Sequence, residues 1–188
     1  GGGLRVTTSL DYKLQEQAEK VVKEEGEKLA PYKASNIASV VLNAKTGEIL
    51  SMVGSRDYFN NEIDGNVNVA LAMRQPGSSG KPILYAAALK QGYTPASLLM
   101  DVKTDFPSGN PGKPIYTPEN YDGKFHGLMQ MRFALGNSIN IPAVKTAALV
   151  GVKNVMELGY QMGISTWEPT DENMRNVGLS LALGGREV

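Results

Sequence analysis

Two short apolar runs on either side of Asn43-Ala44-Lys45-Thr46-Gly47 constrain the fold of this chain more than any other feature. The stretch ASVVLNAKTGEILSMVGS, residues 38–55, combines β-branched residues with a central turn, and this pattern predicts a β-hairpin. Gly47 is expected at a left-handed position of the turn, because glycine adopts positive φ without a steric penalty. An isolated two-stranded hairpin is only marginally stable, so it needs a packed helix or further strands.

No convincing third strand is visible in the sequence. Residues 104–127, TDFPSGNPGKPIYTPENYDGKFHG, contain so many Pro, Gly and Asn residues that regular structure is not expected there. Residues 55–76 are rich in Asn, Asp and Gly and are expected to form a long surface excursion. The hairpin therefore depends on helices of this chain or on strands from outside it.

Helical periodicity covers most of the remaining sequence. Thr8 is the expected N-cap of a first helix, with Asp11 three residues further on, as in a capping box. A second helix is predicted from Ser78 to about Lys90, where Gly92 stops it. The apolar face of the first helix is predicted to contain Leu10, Leu14, Ala18 and Val21. Further helical signals cover residues 128–135, 142–149 and 152–162.

Composition excludes several classes of function. The 188 residues suffice for one large domain or two small ones. The 19 basic and 19 acidic residues cancel, so no nucleic-acid partner is expected. Without cysteine there can be no disulfide, thiolate catalysis or Cys-ligated zinc, and a single histidine argues against a His-cluster metal site. No apolar run is long enough for a membrane span, so neither a span nor a signal peptide is expected among these residues.

The stretch RQPGSSGKPILYAAAL, residues 74–89, carries Ser78 and Lys81 at the spacing Ser-x-x-Lys. Residues three apart on a helix lie on one face, about 5–6 Å between Cβ atoms, so the two side chains are expected to meet. A lysine whose pKa is lowered can take the proton of a serine hydroxyl, and a helix N-terminus favours the developing anion. The alternative is a capping serine followed by a solvated lysine, since so short a motif also occurs by chance.

A second candidate motif is Ser138-Ile139-Asn140, within ALGNSINIPAVK. Ser138 could relay a proton, and the Asn140 amide could hydrogen-bond a substrate amide. The alternative is a cluster of cap and turn residues, which Ser and Asn favour through local hydrogen bonds. In this order the two motifs resemble the constellation of penicillin-binding proteins and class A β-lactamases.

The chain resembles the transpeptidase domain of bifunctional, class A penicillin-binding proteins over nearly its whole length. The resemblance rests on TTSLDYKLQEQAE, VVLNAKTGEILSMVGSRDY, RQPGSSGKP, PENYDGKFHGLMQMRFALGNSINIPAVK and LSLALGGREV. It implies an α+β fold of the β-lactamase and penicillin-binding transpeptidase type. Residues 4–188 are expected to form a partial domain with the helical subdomain and an N-terminal hairpin of the antiparallel sheet, while residues 1–3 are expected to be a remnant outside it.

The resemblance also implies D,D-transpeptidation of peptidoglycan stem peptides ending in D-Ala-D-Ala, without a metal or organic cofactor. Ser78 is expected to be the nucleophile, Lys81 its general base, Ser138 the proton shuttle and Asn140 a substrate-binding residue. The Ser78 N–H would be one oxyanion donor. β-Lactam antibiotics are expected to acylate the same serine. The implied location is the extracytoplasmic face of the bacterial membrane, reached through an upstream anchor, with this segment itself soluble.

Three departures from the family pattern stand out. A Lys-Thr-Gly strand should follow Asn140, but the one such tripeptide, Lys45-Thr46-Gly47, precedes Ser78 at the hairpin turn. Gly80 occupies a position where the family usually has a bulky apolar residue, and this change is expected to loosen Lys81. The upstream glycosyltransferase domain and anchor are absent from the sequence. A second copy, or the C-terminal part of the domain, is therefore a candidate partner.

Two hypotheses follow from these departures: an acylating enzyme of cell-wall crosslinking, or a non-catalytic folding, assembly or interaction module derived from that domain. A β-lactamase is a weaker third option, since no deacylating carboxylate can be nominated. His126 is interpreted as a surface or packing residue, and Asn120-Tyr121-Asp122 as structural or substrate-lining. Trp167 could be exposed at an interface. Core positions are expected for Met129, Met131, Met156 and Met162.

Overall fold

A computed structural model describes residues 2–110 and 112–188. The chain divides into two compact units, Gly1–Ala72 and Met73–Val188, called here the first and second units. Across the described ranges, no helix combines the length and apolarity needed to cross a bilayer.

Helix α1 of the first unit, Tyr12–Glu27, is capped by Asp11 rather than by Thr8. The Asp11 carboxylate accepts the N–H of Leu14 at 3.1 Å, so the predicted cap residue was wrong by three positions. The predicted apolar face was also partly wrong: Val21 is 55% exposed, whereas Val22 is 3% exposed. The side of α1 that is half-buried or buried follows a spacing of four, through residues 14, 18 and 22.

Strands β1 (Ser39–Leu42) and β2 (Ile49–Val53) form the predicted antiparallel hairpin. Gly47 has φ +76°, as its turn position requires. Helix α1 packs on this hairpin: the Gln15 Oε1 atom accepts both the Ser51 hydroxyl and the Met52 N–H at 2.9 Å. Within the first unit, the partner that the hairpin needs is therefore a helix. Residues 55–72 form turns and two short 3-10 segments, Asn61–Ile63 and Val69–Leu71.

The second unit contains more strand than its sequence suggested. Strand β3 (Leu98–Asp101) pairs with β6 (Gly127–Gln130), and β4 (Phe106–Asn110) pairs with β5 (Lys113–Tyr116), both antiparallel. The expectation of irregular structure over residues 104–127 was wrong for β4 and β5. The helix predicted from residue 128 was wrong for residues 128–130, because pairing with β3 fixes them as strand.

Helices of the second unit build its core. They are α2 (Lys81–Lys90), α3 (Met131–Gly136), α4 (Asn140–Val150), α5 (Val152–Gln161) and α6 (Asp171–Arg175), with a final 3-10 segment, Leu179–Leu183. α4 is central, since most of its side chains are buried and it contacts α2, α3, α5 and the 3-10 segment. The core positions proposed for Met131 and Met156 are confirmed, but Met162 is 62% exposed.

Trp167 lies inside the second unit, contrary to the suggestion that it is exposed. Its side chain is 1% exposed and packs against Gly159, where an added Cβ would overlap the indole ring. The absence of a side chain at Gly159 thus makes room for the Trp167 ring, and both residues are buried.

Candidate active site

Ser78 lies in a tight turn that leads into α2. Gly77 has φ +58°, Gly77–Gly80 form a single 3-10 turn, and α2 begins at Lys81. The helix predicted to start at Ser78 therefore starts three residues later. Ser78 is exposed, and its hydroxyl and N–H have no hydrogen-bond partner among the described residues. The neighbouring Ser79 differs, because its hydroxyl donates to Pro76 O at 2.5 Å.

Lys81 is buried, with 1% of the residue exposed, at the first position of α2. Its Nζ donates to Ser138 O at 2.7 Å, to Ser138 Oγ at 3.1 Å and to Asn140 Oδ1 at 2.8 Å. Burial lowers the pKa of Lys81 from 10.5 to about 8, since desolvation disfavours the ammonium form. A solvated first-turn lysine, the alternative considered for this motif, is thus excluded.

Ser138 links α3 to α4 with a left-handed backbone, φ +53°. That conformation costs a non-glycine residue about 1–2 kcal/mol, so the surroundings must hold it. The Ser138 N–H donates to Leu135 O and the Ile139 N–H to Ala134 O, each at 2.9 Å. The turn points the Ser138 carbonyl and hydroxyl oxygens at Lys81 together.

Asn140 is the first residue of α4, and its amide orientation is determined by two contacts. Its Oδ1 accepts from Lys81 Nζ, and its Nδ2 donates to Glu119 O at 2.9 Å. The structure therefore brings together three of the four predicted site residues, Lys81, Ser138 and Asn140. Ser78 lies one turn before Lys81 but does not hydrogen-bond to it.

Gly80 is buried beside this site, between Pro76 and Trp167. An added Cβ would lie 3.6 Å from Pro76 Cγ and 3.9 Å from the Trp167 ring, so a small side chain fits. The expected loosening of Lys81 is not seen, because three hydrogen bonds hold its Nζ.

Gly184, which the sequence analysis did not single out, is packed against the turn that carries Ser78. Its φ is +71°, and an added Cβ would overlap the N, Cα and O atoms of Gly77. The Gly-Gly pair in LALGGREV was the available signal. The close approach means that the segment after the last 3-10 turn supports the position of Ser78.

Substituting Gly184 with alanine should destabilise the second unit and displace the Ser78 turn. Positive φ alone costs a Cβ-bearing residue about 1–2 kcal/mol. Gly163→Ala is a matched control, because Gly163 has φ +102° with no atom within 4 Å of an added Cβ. Urea unfolding should show a larger loss of unfolding free energy for Gly184→Ala than for Gly163→Ala. Equal losses would mean that the overlap with Gly77 is relieved at no cost.

A hydrogen-bonded cluster of Asp101, Asn120 and His126 adjoins the site, and sequence reasoning found it only in part. Asp101 is 0% exposed and had not been singled out. Asn120 is 6% exposed, whereas Tyr121 and Asp122 lie at the surface. His126 contacts two carboxylates, Asp101 at 2.7 Å and Asp122 at 3.1 Å, and the hydrogen bond to Asp101 raises its pKa above 6.5.

Metal binding by this cluster finds no support in its geometry. Within the part of the chain that the structure describes, no group of three or more His, Cys, Asp or Glu side chains is placed to hold a metal ion. His126, with 36% of its side chain exposed, acts as a hydrogen-bond donor to a buried carboxylate. The expectation of a surface or packing residue describes its position but missed this contact.

The fold and the paired motifs are of the penicillin-binding and β-lactamase-like class. A family model described as "Penicillin binding protein transpeptidase domain" matches residues 37–181. The chain belongs to the penicillin-binding protein transpeptidase domain family, in the class A group that the resemblance indicated.

Sequence relatives and solved structures agree with this assignment. Penicillin-binding protein 1A of Rickettsia conorii is 34% identical over 176 residues, 87% of this chain and 22% of the relative. That of Aquifex aeolicus is 36% identical over 149 residues, 79% of this chain and 19% of the relative. The chain spans about a fifth of the length of these relatives.

Two solved structures show the same fold. Penicillin-binding protein 1A from Haemophilus influenzae matches with a TM-score of 0.68 and 31% identity, over 81% of this chain and 21% of that one. PonA1 from Mycobacterium tuberculosis matches with a TM-score of 0.73 and 21% identity, over 97% of this chain and 46% of that one.

Proposed function

We propose that this chain carries the acylation site of a serine D,D-transpeptidase that crosslinks peptidoglycan stem peptides. The observation that carries the proposal is Lys81: a buried lysine held by Ser138 and Asn140, one turn after an exposed serine. With a pKa of about 8, Lys81 is partly neutral near neutral pH and can accept a proton.

Acylation begins when the Ser78 Oγ attacks the carbonyl carbon between the two terminal D-Ala residues. The hydroxyl proton moves to neutral Lys81 as the new C–O bond forms. The Ser78 N–H, which has no acceptor among the described residues, can stabilise the oxyanion. The peptide C–N bond then breaks, and the proton passes from Lys81 through the Ser138 hydroxyl to the departing amine nitrogen.

Deacylation by a second stem peptide completes the transfer. Its amine nitrogen attacks the ester carbonyl, gives up a proton towards Lys81, and forms the crosslinking amide. The Ser78 oxygen leaves as the hydroxyl after regaining a proton. Asn140 is proposed to hydrogen-bond the substrate backbone, which requires that substrate compete for the amide that now contacts Lys81 and Glu119 O. These steps use no metal or organic cofactor.

β-Lactam antibiotics are the second proposed ligand class, because their strained amide can replace the D-Ala-D-Ala amide. Attack by Ser78 Oγ opens the ring and leaves an ester on the serine. Among the solved relatives, PonA1 is described in complex with penicillin V, and penicillin-binding protein A of M. tuberculosis as an imipenem acyl-enzyme complex. The location proposed for the activity is the extracytoplasmic face of a bacterial membrane, with a second copy or the rest of the domain as partner.

The proposal is tested by intact mass spectrometry of the folded chain incubated with benzylpenicillin. The expected result is a single adduct with the mass of the antibiotic, mapped by proteolysis to the peptide containing Ser78. A cooperatively unfolding sample that gives no adduct would support the non-catalytic module instead. The lack of a hydrogen bond between Ser78 and Lys81 is the observation that favours this second candidate.

A further inference from the structure

A fully buried carboxylate, Asp101, lies at the end of β3 and is not used in the proposed acylation steps. Both its oxygens accept from Asn120 Nδ2 at 2.9 Å. Its Oδ2 also accepts from the His126 N–H at 2.9 Å and contacts His126 Nδ1 at 2.7 Å. Asn120 Nδ2 and the His126 N–H donate to this carboxylate, and His126 Nδ1 does so in the tautomer that carries its proton on that nitrogen.

Asp101 determines which way the Asn120 amide faces. The Asn120 Nδ2 lies among three oxygens, the two of Asp101 and the Lys124 carbonyl at 2.7 Å. Its Oδ1 must therefore face the other way, where it accepts the N–H groups of Asn140 at 3.0 Å and Ile141 at 3.2 Å. Asn120 thus caps two of the otherwise unpaired donors at the start of α4.

Asn140 links Asn120 to Lys81 through hydrogen bonds. Its backbone N–H is held by Asn120, its Nδ2 by Glu119 O, and its Oδ1 accepts from Lys81 Nζ at 2.8 Å. The two residues that hold Asn140, Glu119 and Asn120, are adjacent in the chain, and Asp101 binds the second of them. The chain of contacts runs from Asp101 to Asn120, then Asn140, then Lys81.

We infer that Asp101 is a positioning residue for the acylation site, acting through Asn120 and Asn140 on Lys81, with His126 also binding the Asp101 carboxylate. The inference rests on the proposed acylation function. Asp101 does not reach the reacting atoms. Its contribution is to keep the Asn140 oxygen at the distance and angle at which it holds the lysine.

The isosteric change Asp101→Asn tests this role, because it replaces an acceptor with a group that must place an N–H against Asn120 or His126. At a pH above the Lys81 pKa, where the lysine is neutral in both chains, the expected result is a 10–100-fold lower rate constant for penicillin acylation, roughly the effect of misplacing a reacting group by 1 Å. The first-order rate constant describes only the molecules that react. A loss of folded protein therefore lowers the final yield of adduct and leaves this rate constant unchanged. Asp122→Asn is the control, because it removes the other carboxylate on His126 without touching Asn120.

A double-mutant cycle with Asn140→Ala separates positioning from a through-space charge effect. If Asp101 acts through Asn140, its replacement has no further effect on the rate in the Asn140→Ala background. A loss that persists in full in that background, or an unchanged rate in Asp101→Asn alone, would overturn the inference.

A nuclear magnetic resonance titration of the Lys81 side chain tests the same link without any acylation. Loss of the Asn140 acceptor destabilises the ammonium, so Asp101→Asn and Asn140→Ala should each lower the Lys81 pKa, and the double variant no further. A wild type that forms no penicillin adduct would contradict the proposed function, while this titration would still decide the role of Asp101. Additive pKa shifts would contradict the positioning role.

His126 offers a milder variant should Asp101→Asn fail to fold, since 36% of its side chain is exposed. His126→Leu removes the Nδ1 donor, whereas His126→Asn places an amide N–H where Nδ1 lies. The expected pattern is a lowered acylation rate and Lys81 pKa for His126→Leu, and recovery of both for His126→Asn. Identical behaviour of the two variants would rule out His126 as a support of Asp101.

Discussion

Replacing Ser78 with alanine should abolish the covalent adduct with benzylpenicillin. The residue is exposed at the start of α2, and its hydroxyl is free of partners among the described residues, so it can approach a bound carbonyl. Removing the nucleophile of a serine hydrolase costs on the order of 10⁶ in rate, beyond what a time course of hours can recover. Intact mass spectrometry of the variant should show the unmodified chain alone.

Ser79→Ala is the matched control for this experiment. Ser79 is also exposed and lies in the same 3-10 turn, but its hydroxyl donates to Pro76 O. It lies two residues from Lys81 rather than three, so it falls on another face. The control variant should form the adduct at nearly the wild-type rate. An adduct that survives in Ser78→Ala and disappears in Ser79→Ala would show that Ser79, not Ser78, is the nucleophile.

The elements that were predicted well are those determined by residues close together in the sequence. The hairpin of β1 and β2 follows from β-branched runs around a turn with Gly47, all within residues 38–55. Strands β3 and β6 pair residues about thirty positions apart, as with Leu98 and Gln130, and neither segment signals its partner. β4 and β5 contain Pro and Gly residues that argue against strand, and pairing overrides that preference.

The candidate site likewise contains residues that short sequence motifs indicate and residues that only the folded structure reveals. Ser78, Lys81, Ser138 and Asn140 were predicted as site residues because they lie in two short motifs whose residue types suit the chemistry. Asp101 and Gly184 act on those motifs through contacts with Asn120 and Gly77, many positions away in the chain. An aspartate before a Pro- and Gly-rich segment has no distinguishing neighbour in the sequence. Its burial and its three donors appear only once the strands are paired.

Replacing Lys81 with methionine should lower the penicillin acylation rate by about 10²–10⁴-fold, the usual contribution of a positioned general base. Methionine keeps the length of the buried chain and removes the group that takes the Ser78 proton. Lys90→Met, on the exposed end of the same helix, is the control and should react like the wild type. A Lys81→Met chain that acylates at the control rate would exclude Lys81 as the base.

The pH dependence of Lys81 gives a second, independent signature of its burial. In the folded chain its pKa is about 8, against 10.5 for the solvated side chain, so acylation should slow as pH falls below about 8 and the ammonium form accumulates. Between about pH 8 and 10.5 the Lys81 side chain binds more protons in the unfolded chain than in the folded chain. The free energy of unfolding therefore rises with pH over this range and stops rising above the unfolded pKa. The free energy of urea unfolding, measured from pH 7 to 10, should therefore increase relative to that of Lys81→Met. A constant difference between the two chains across this range would show that the buried lysine keeps an unshifted pKa, and neutral Lys81 would then be too rare at neutral pH to act as the base.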